Sequence, residues 1–452
     1  MTLTHRRILY SLFFLIFFIT APIVVLWAEG YKYNFTKNRF EKTGVLFLES
    51  KPSKAEIYLN NELQDDKTTA RLKNLLPDDY QVEIKKQGYQ SWQKKLRVYP
   101  GQTTFAQYIR LFKQDPNPET ILLQKIIINS QPTGNVFAFI AEQGQVYKLF
   151  LFNLENQALT EVMDLGFKPD EIVLSPQKTF IILKNKGRVF YINLNTKNLV
   201  DLSKITKKEI THLRWSEADR DEIVYAVSQS GLEKMNLISQ KSLILLKKPI
   251  LDFYLIKNSI FFLERTKENI LLNKTNFNNI QVVETLTSLP ISDSYKFYDS
   301  PPSYLILLDE KNKILYLINI DLGLEQEAPP RFIKREEKIK IFPETSFVKW
   351  FKGGKVFLFG NNFEISIYDL EKMQENLILR LSSEIKKVIW YPVPTHLIYL
   401  LADSIKVIET VGQQRNLCTL INKPNIKDIF VNNKGNKLYF IDDAGLHQVE
   451  IQ

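Results

Sequence analysis

Residues 429–442 read IFVNNKGNKLYFID, which is a short apolar run, a polar corner with a glycine, and a second apolar run. Apolar runs of about four to eight residues bounded by turn residues are typical of β-strands. The arrangement recurs at 388–401 as VIWYPVPTHLIYLL and at 172–183 as IVLSPQKTFIIL. A third apolar run follows in many copies, as at 189–194, VFYINL. The pattern predicts a series of short antiparallel sheets.

The copies repeat at intervals of about 40–50 residues, which is the spacing of propeller blades. Their first strands start near residues 128, 172, 212, 252, 297, 347, 388 and 429. Trp215, Trp350 and Trp390 fall at the same point of three copies. We therefore predict an all-β C-terminal region, a β-propeller over residues 120–452 with eight blades. Seven blades are the alternative, because a charged stretch at about 325–344 separates two of the copies.

The last copy has room for only three strands, and residues 120–124, TILLQ, precede the first copy. Pairing this early segment with the last copy would leave no open sheet edge, so we expect it to close the ring. The polar corners at 175–178 and 432–435 resemble those of TolB-like and WD-repeat-like propellers. No Trp-Asp dipeptide or Gly-His pair is present, so a true WD-repeat domain is not predicted.

Residues 8–28, ILYSLFFLIFFITAPIVVLWA, contain no charged side chain. As a helix they would be about 31 Å long, enough to cross a hydrocarbon core of about 30 Å. Tyr10 and Trp27 lie near the two ends, where amphipathic rings favour the membrane interface. We predict an uncleaved transmembrane signal anchor. The alternatives are a cleaved signal peptide, which usually has a shorter apolar region, and a buried helix.

The orientation of this anchor follows from the flanking charges. Arg6 and Arg7, in the short tail 1–7, favour a cytoplasmic N-terminus, with the rest of the chain on the extracytoplasmic side of the cell membrane. The opposite orientation is the alternative, because basic residues also follow the span at Lys32, Lys37, Arg39 and Lys42. Most of the net charge of +10 falls within residues 1–112. Attraction to anionic lipid explains this surplus better than nucleic-acid binding, which is not predicted.

Residues 44–112 follow a juxtamembrane linker at 29–43 and precede a second linker at 113–119. They alternate short apolar strands with turn residues and show no helical period, which predicts a small β-sandwich. Four sequence features stand out: a proline corner, a tyrosine strand, a Leu-x-Pro turn with a tyrosine, and a Gly-Tyr-x-x-Trp run. Their residues are Pro52 and Ala55, Tyr58, Pro77 and Tyr80, and Gly88, Tyr89 and Trp92.

In this order and spacing the four features resemble the PEGA domain. The resemblance implies a non-catalytic surface module of extracytoplasmic bacterial proteins, which agrees with the preferred orientation. Lys54 and Asp79 stand where the family has glycine; Asp tolerates positive φ better than most residues, so we expect the turn at Asp79 to persist. We expect Tyr89 and Trp92 to fill the sandwich core rather than form a carbohydrate-stacking surface.

The sequence offers little catalytic chemistry. Its one cysteine, Cys418, excludes a multi-cysteine zinc site and a disulfide framework, and four histidines argue against a histidine-rich metal centre. Nucleophile-elbow, zinc-protease, P-loop and dinucleotide-binding motifs do not occur. We therefore predict no catalytic, cofactor-binding or metal-binding residue.

The predicted function is a non-enzymatic binding or scaffold role at the bacterial cell envelope, with a protein or glycan partner. One alternative is an envelope polysaccharide hydrolase or lyase with its site in the propeller channel. The other is a membrane scaffold that faces the cytoplasm. The ligand and the binding loops do not follow from the sequence, because the propeller assignment is an analogy of fold.

Overall fold

The computed structural model describes residues 3–206, 209–216, 219–321, 338–412 and 414–452. These residues form two compact units. The first consists of Met1–Asn117, Lys406–Ile421 and Glu450–Gln452. The second consists of Pro118–Ile405 and Asn422–Val449.

The first unit begins with helix α1 (Leu3–Ala28), which contains the predicted span. The stretch His5–Ala28 has a mean hydropathy of 2.6 and none of it is buried in protein. It is long and apolar enough to cross a membrane, as an anchor or as a signal sequence. The segment interpreted as a juxtamembrane linker forms a hairpin of β1 (Tyr31–Asn34) and β2 (Arg39–Lys42).

Seven further strands of the first unit form a sandwich of two sheets. They are β3 (Gly44–Lys51), β4 (Glu56–Leu59), β5 (Glu62–Lys67), β6 (Ala70–Leu75), β7 (Asp79–Lys85), β8 (Trp92–Arg97) and β9 (Thr103–Arg110). The sheet orders are β6-β3-β9 and β5-β4-β7-β8. Alternate residues of β3 are buried, because successive side chains of a strand point to opposite faces. The core between the sheets is mostly aliphatic, with one tryptophan, and includes Leu46, Leu48, Ile57, Val82 and Ile84.

The described strands after residue 118 form eight four-stranded antiparallel sheets, seven of them of consecutive strands. Parts of the strands Ser404–Glu409 and Leu417–Asn422 belong to the first compact unit. The opening strands are β10 (Glu119–Leu122), β11 (Lys125–Asn129), β12 (Val136–Gln143), β13 (Val146–Asn153) and β14 (Leu159–Leu165). They are followed by β15 (Glu171–Leu174), β16 (Phe180–Asn185), β17 (Arg188–Asn193), β18 (Asn198–Asp201), the short helix α2 (Ser203–Thr206), β19 (Ile210–Trp215), β20 (Ile223–Ser228), β21 (Gly231–Asn236) and β22 (Lys241–Leu246).

The later strands repeat the pattern. They are β23 (Ile250–Ile256), β24 (Ser259–Arg265), β25 (Ile270–Asn276), β26 (Asn279–Leu289), β27 (Tyr295–Tyr298), β28 (Tyr304–Asp309), β29 (Ile314–Asn319), β30 (Ile339–Phe342), β31 (Phe347–Trp350), β32 (Val356–Gly360), β33 (Glu364–Asp369) and β34 (Gln374–Arg380). The last are β35 (Lys387–Trp390), β36 (His396–Leu400), β37 (Ser404–Glu409), β38 (Leu417–Asn422), β39 (Asp428–Val431), β40 (Lys437–Ile441) and β41 (Leu446–Glu450).

Each predicted repeat start lies within the first strand of one of these sheets. The charged stretch at 325–344 lies mostly outside the described residues, and its end supplies β30, the fourth strand of its sheet. A buried apolar cluster joins the sheet of β11–β14 to that of β15–β18, and similar clusters follow along the chain. Neighbouring sheets therefore pack face to face, as the blades of a propeller do.

The ring is closed at the junction of its first and last sheets. Strand β10 pairs with β41, so Thr120 lies opposite His447 and completes the sheet of β39–β41. This confirms the prediction that residues 120–124 supply the outer strand. Phe137 of β12 stacks on Phe430 of β39 with ring centroids 4.6 Å apart. The first full sheet therefore packs against the last, and these four-stranded sheets form a β-propeller.

The corner in the opening stretch, 432–435, depends on its glycine. Gly435 has a φ of +74°, and a Cβ there would lie 2.1 Å from the Tyr391 hydroxyl oxygen. That hydroxyl donates a hydrogen bond of 2.8 Å to the Gly435 carbonyl. Because a side chain would clash with Tyr391, glycine allows the corner of one sheet to contact the preceding sheet.

Candidate functional site

The first strands of the propeller sheets carry charged side chains that meet near the ring centre. Arg214 of β19 reaches the carboxylate of Asp252 on β23, 3.1 Å away, and the carbonyl of Phe297 on β27, 2.8 Å away. A side chain that contacts the next two sheets must lie where successive sheets converge. We use the name inner rim for the residues whose side chains link the first strands of neighbouring sheets, together with Lys349. They are Asn129, Arg214, Asp252, Lys349, Lys387 and Asp428.

Asp252 forms the first ion pair of the inner rim. It is 0% exposed, and the same Oδ2 that contacts Arg214 accepts a 2.9 Å hydrogen bond from the Phe297 amide. The Arg214 guanidinium lies 5.4 Å from the centre of the Tyr254 ring. A buried carboxylate requires such partners, because an uncompensated charge in a dry environment is costly.

Asp428 forms the second ion pair. It contacts Lys387 on the preceding sheet, and its Oδ2 accepts a 2.9 Å hydrogen bond from Asn129 on the following sheet. The Lys387 ammonium also lies 4.8 Å from the centre of the Phe430 ring. The two carboxylates of the inner rim are therefore each neutralised by a cation.

Lys349 of β31 is the remaining cation of the inner rim. Burial, reinforced by repulsion from Lys387, lowers the pKa of Lys349 to about 8, and Asp428 and Asp299 oppose this effect only in part. Within the described residues the Lys349 ammonium forms no salt bridge and no hydrogen bond. The Trp390 indole donates a hydrogen bond to the backbone carbonyl of Lys349, not to its side chain. The inner rim thus holds one ammonium group without an acidic partner in contact.

Sequence reasoning missed the inner rim, although a signal was present. Each of these residues except Asn129 interrupts or begins an apolar first strand, as in Leu213-Arg214-Trp215 and Val348-Lys349-Trp350. A charged side chain in or at the start of an apolar strand is unusual and points to a particular environment. The structure shows that this environment is the inner edge of the ring.

The three tryptophans at equivalent repeat positions end their strands. The indole nitrogen of Trp215 donates to the Asp221 carbonyl at 2.9 Å, and that of Trp350 donates to the Gly354 carbonyl at 2.8 Å. The indole of Trp390 donates to Lys349 on the neighbouring sheet at 3.1 Å. The first two therefore fasten a corner of their own sheet, whereas the third joins two sheets.

A polar cluster also lies at the ring closure. His447 contacts the Thr120 hydroxyl at 3.1 Å through Nδ1 and the Asp442 carboxylate at 2.9 Å through Nε2. Burial would raise the pKa of Asp442, but hydrogen bonds from Lys423 and His447 outweigh burial and lower it to about 2. The hydroxyl, imidazole and carboxylate follow one another as in a nucleophilic triad. Here they connect β10 to β41, so closure of the ring accounts for them.

The other histidine and cysteine side chains are separate from this cluster. His212 lies on β19; burial lowers its pKa, and its Nδ1 has no hydrogen-bond partner among the described residues. His396 is buried on β36 with Nδ1 3.0 Å from the Thr395 hydroxyl. Burial raises the pKa of Cys418 to about 11, which disfavours the reactive thiolate. No group of three or more potential metal ligands occurs in the described parts of the chain.

The PEGA-motif residues lie in the sandwich of the first unit. Ala55 and Trp92 are in its core, and Tyr80 and Tyr89 pack against it. Pro52 follows β3, Tyr58 lies on β4 and Pro77 precedes β7. Gly88 has a φ of +82°. Tyr80 donates a 2.9 Å hydrogen bond to the Leu76 carbonyl, which fixes the turn before β7.

The turn expected at Asp79 persists as a bend at Pro77 and Asp78, but Asp79 itself does not have a positive φ. Asp79 begins β7 as an extended residue paired with Arg97, because the Asp78 carboxylate accepts its amide at 2.8 Å and the chain leaves the turn there. Of the two positions where the family has glycine, Lys54 is the one with a positive φ, at +58°. Asn60, Asn61, Asn74 and Tyr108 of the same sandwich also have positive φ, so the proline corner is one of several positions with this backbone conformation.

Within the first unit, the sandwich contacts residues 406–421, more than 300 positions later in the sequence. The Trp92 indole donates a 2.6 Å hydrogen bond to Glu409, and the Lys94 ammonium lies 2.8 Å from the same carboxylate. Asn416 donates to the Gln93 carbonyl at 2.9 Å and accepts from its amide at 3.0 Å. The tryptophan therefore fills the core with its ring and binds a distant segment with its nitrogen.

The residues predicted for the membrane interface all lie on α1. Arg6 and Arg7 are in its first turns, Tyr10 follows them, and Trp27 is in its last turn. All four side chains are exposed. This arrangement places one aromatic ring near each end of the apolar stretch.

Comparison with known families matches residues 43–111 to the PEGA domain, which confirms the resemblance read from the motifs. No curated protein matches the sequence. Among solved structures, the C-terminal WD40 domain of Sif2 is 14% identical with a TM-score of 0.48, covering 74% of this chain and 98% of that one. The Dos1 propeller is 10% identical with a TM-score of 0.49, covering 75% of this chain and 94% of that one. Both are similarities of fold alone.

Proposed function

We propose that this chain is a membrane-anchored interaction protein that does not catalyse a reaction. Helix α1 remains in the membrane as an uncleaved anchor, and the sandwich and an eight-bladed propeller lie on the extracytoplasmic side. The domain limits are those expected from the sequence, with the sandwich at 44–112 and the propeller at 120–452. The PEGA similarity and the flanking arginines of α1 support this arrangement.

The propeller acts as a platform for a protein of the cell envelope, and the inner rim carries this proposal. A glycosidase needs two accessible carboxyl groups, one of which keeps its proton. Asp252 and Asp428 instead each contact a cation, so neither is free for that role. Lys349, without an acidic partner, favours a ligand that brings its own carboxylate. We therefore propose that an acidic side chain or a C-terminal carboxylate of the partner contacts Lys349.

Zero-length carbodiimide coupling tests this contact, because it joins an amine to a carboxylate only where the two touch. Membranes that contain the tagged full-length chain are treated with carbodiimide, and the products are identified by mass spectrometry. We expect an amide bond between Lys349 and an acidic residue of an envelope protein. The variant K349R keeps the charge but cannot form this amide, so it should retain the partner and lose the cross-link. The variant K349M should lose both.

Lys247 provides the matched control, since it is an exposed lysine of the same unit outside the inner rim. K247R and K247M should leave partner and cross-link unchanged. An unchanged yield of partner with K349M would contradict the proposed contact. Cleavage of envelope polysaccharide by the purified chain would contradict the non-catalytic function and support the hydrolase or lyase.

The side of the membrane is tested by adding protease to intact and to permeabilised cells while following a C-terminal tag. Loss of the tag in intact cells is the expected result. Protection until permeabilisation would overturn the extracytoplasmic placement and favour the scaffold that faces the cytoplasm.

A further inference from the structure

The hairpin of β1 and β2 lies directly beyond the membrane helix. Only Glu29 and Gly30 separate α1 from β1. The Gly30 carbonyl accepts hydrogen bonds of 2.8 Å from both the amide and the hydroxyl of Thr43, which closes the base of the hairpin. The hairpin therefore begins within two residues of the end of the apolar segment, close to the lipid headgroups if α1 spans the membrane.

A cavity of about 560 Å³ lies between this hairpin and the sandwich of the first unit. The hairpin contributes residues 37 and 39–42, and the sandwich contributes residues 77–79 and 97–100. We call this space the juxtamembrane cavity. Four of its lining residues are cationic: Lys37, Arg39, Lys42 and Arg97.

Acidic residues satisfy only part of this charge. Glu41 contacts Arg39 at 2.6 Å and Lys37 at 3.4 Å. Asp79 contacts Lys95, which lies outside the cavity, and Asp78 accepts a backbone amide. Within the described residues, Lys42 and Arg97 form no salt bridge. The cavity thus offers two cations for a ligand, while Asp78 and Asp79 disfavour one with several negative charges.

Aromatic rings line the juxtamembrane cavity and the adjacent turn of the hairpin. Phe40 and Tyr99 line the cavity and are 44% and 48% exposed. Phe35, in the turn of the hairpin, is 84% exposed and its ring centre lies 5.0 Å from that of Tyr33. Exposed aromatic rings beside lysine and arginine are typical of the zone between hydrocarbon and water, where each ring has one apolar and one hydrated side.

We propose that the juxtamembrane cavity binds the phosphate headgroup of an anionic phospholipid from the leaflet at the C-terminal end of α1. Lys42 and Arg97 donate to the phosphate, and Phe40 and Tyr99 contact the glycerol and ester region. The mixture of acidic and basic lining residues selects a headgroup with one negative charge over a polyphosphate. The source is the bilayer rather than soluble phosphate, because the proposed anchor holds the cavity at the headgroup layer.

The test uses the full-length chain in neutral detergent micelles with phosphatidylglycerol or phosphatidylcholine, and native mass spectrometry counts retained lipid. We expect retention of phosphatidylglycerol and little retention of phosphatidylcholine. The double variant K42Q/R97Q should weaken phosphatidylglycerol binding about tenfold or more, since it removes both cations that would donate to the phosphate. K32Q/K73Q removes the same charge from exposed positions outside the cavity and should change binding less than about twofold.

Three results would overturn the proposal. Equal retention of both lipids would show no headgroup selection. Equal losses in the two double variants would show attraction to net charge rather than a site. Displacement of the lipid by an equal concentration of inorganic phosphate or glycerol 3-phosphate would assign the cavity to a soluble ligand. If K42Q/R97Q unfolds, the unmodified chain is labelled with a photoactivatable phosphatidylglycerol instead. We expect labelling at Phe40 or Tyr99, and labelling elsewhere would contradict the site.

The lipid site rests on the proposed function only through the anchor. The intact mass of the chain purified from membranes tests the anchor separately, because a cleaved signal would remove α1. Loss of α1 with headgroup selection intact would contradict the anchor and keep the cavity. A retained α1 without selection would contradict the cavity and keep the anchor.

Discussion

The two compact units are organised by contacts of different sequence separation. In the propeller, the sheets of β11–β38 each consist of four consecutive strands and pack on sheets that are adjacent in sequence. Among the described strands of the ring, β10 instead pairs with the distant β41 and closes the ring. The first unit instead joins the sandwich to residues 406–421, and Glu409 contacts Trp92 and Lys94 at a separation above 300 residues. A repeated pattern therefore identifies the propeller, whereas no local pattern identifies the partners of the sandwich.

The largest effect is expected at the ring closure. Phe430 is 3% exposed and stacks on Phe137, so the F430A variant leaves a cavity between the first and last sheets. We expect a loss of about 3–5 kcal/mol in the free energy of unfolding, measured by urea denaturation in micelles. F363A, at a ring 48% exposed, is the matched control and should cost less than about 1 kcal/mol. Similar losses in both variants would mean that the closure is not a point of special stability.

The distant contact of the first unit is tested at Glu409. E409Q leaves the half-buried Lys94 ammonium without its carboxylate, and we expect a loss of about 2–3 kcal/mol by thermal unfolding. Hydrogen exchange should increase in both the sandwich and residues 406–421. D79N breaks the exposed pair with Lys95 and should cost at most about 1 kcal/mol. If exchange rises in one of the two segments alone, they do not form one cooperative unit.

Lys349 of the inner rim should make the free energy of unfolding depend on pH. Lys349 has a pKa of about 8 when folded and an ordinary lysine pKa of about 10.4 when unfolded. Between these values the unfolded chain binds more protons, so Lys349 makes stability rise with pH. K349M should be more stable than the unmodified chain below pH 8, by about 1–2 kcal/mol, with the advantage shrinking towards pH 10. A constant difference across this range would contradict the lowered pKa.

The smallest effect is expected at the proline corner of the sandwich. Lys54 has a φ of +58°. This backbone conformation is higher in free energy for a residue with a Cβ atom than for glycine. K54G should therefore raise the free energy of unfolding by about 0.5–1 kcal/mol. K67G, at the end of β5, should lower it by a similar amount, because glycine weakens a regular strand. Destabilisation by K54G would indicate that the lysine side chain contributes contacts that outweigh the strain.

The sequence was sufficient for features that a short segment encodes. Alternating apolar residues and the corners at 175–178 and 432–435 predict the repeated sheets, and an uncharged run of 21 residues predicts α1. Motif order identifies the PEGA sandwich and the core position of Trp92. Each of these signals needs only neighbouring residues, because period, turn chemistry and length act locally.

Tertiary structure alone decided which distant side chains meet. Arg214, Asp252, Lys349, Lys387 and Asp428 become one inner rim only when the ring brings their strands together, and the sequence shows them as isolated charges. The hydrogen bond from Trp92 to Glu409 and the juxtamembrane cavity likewise depend on segments that folding brings into contact. Burial, ion pairing and lowered pKa values are properties of the assembled environment, so the 452-residue sequence contains their residues without showing their partners.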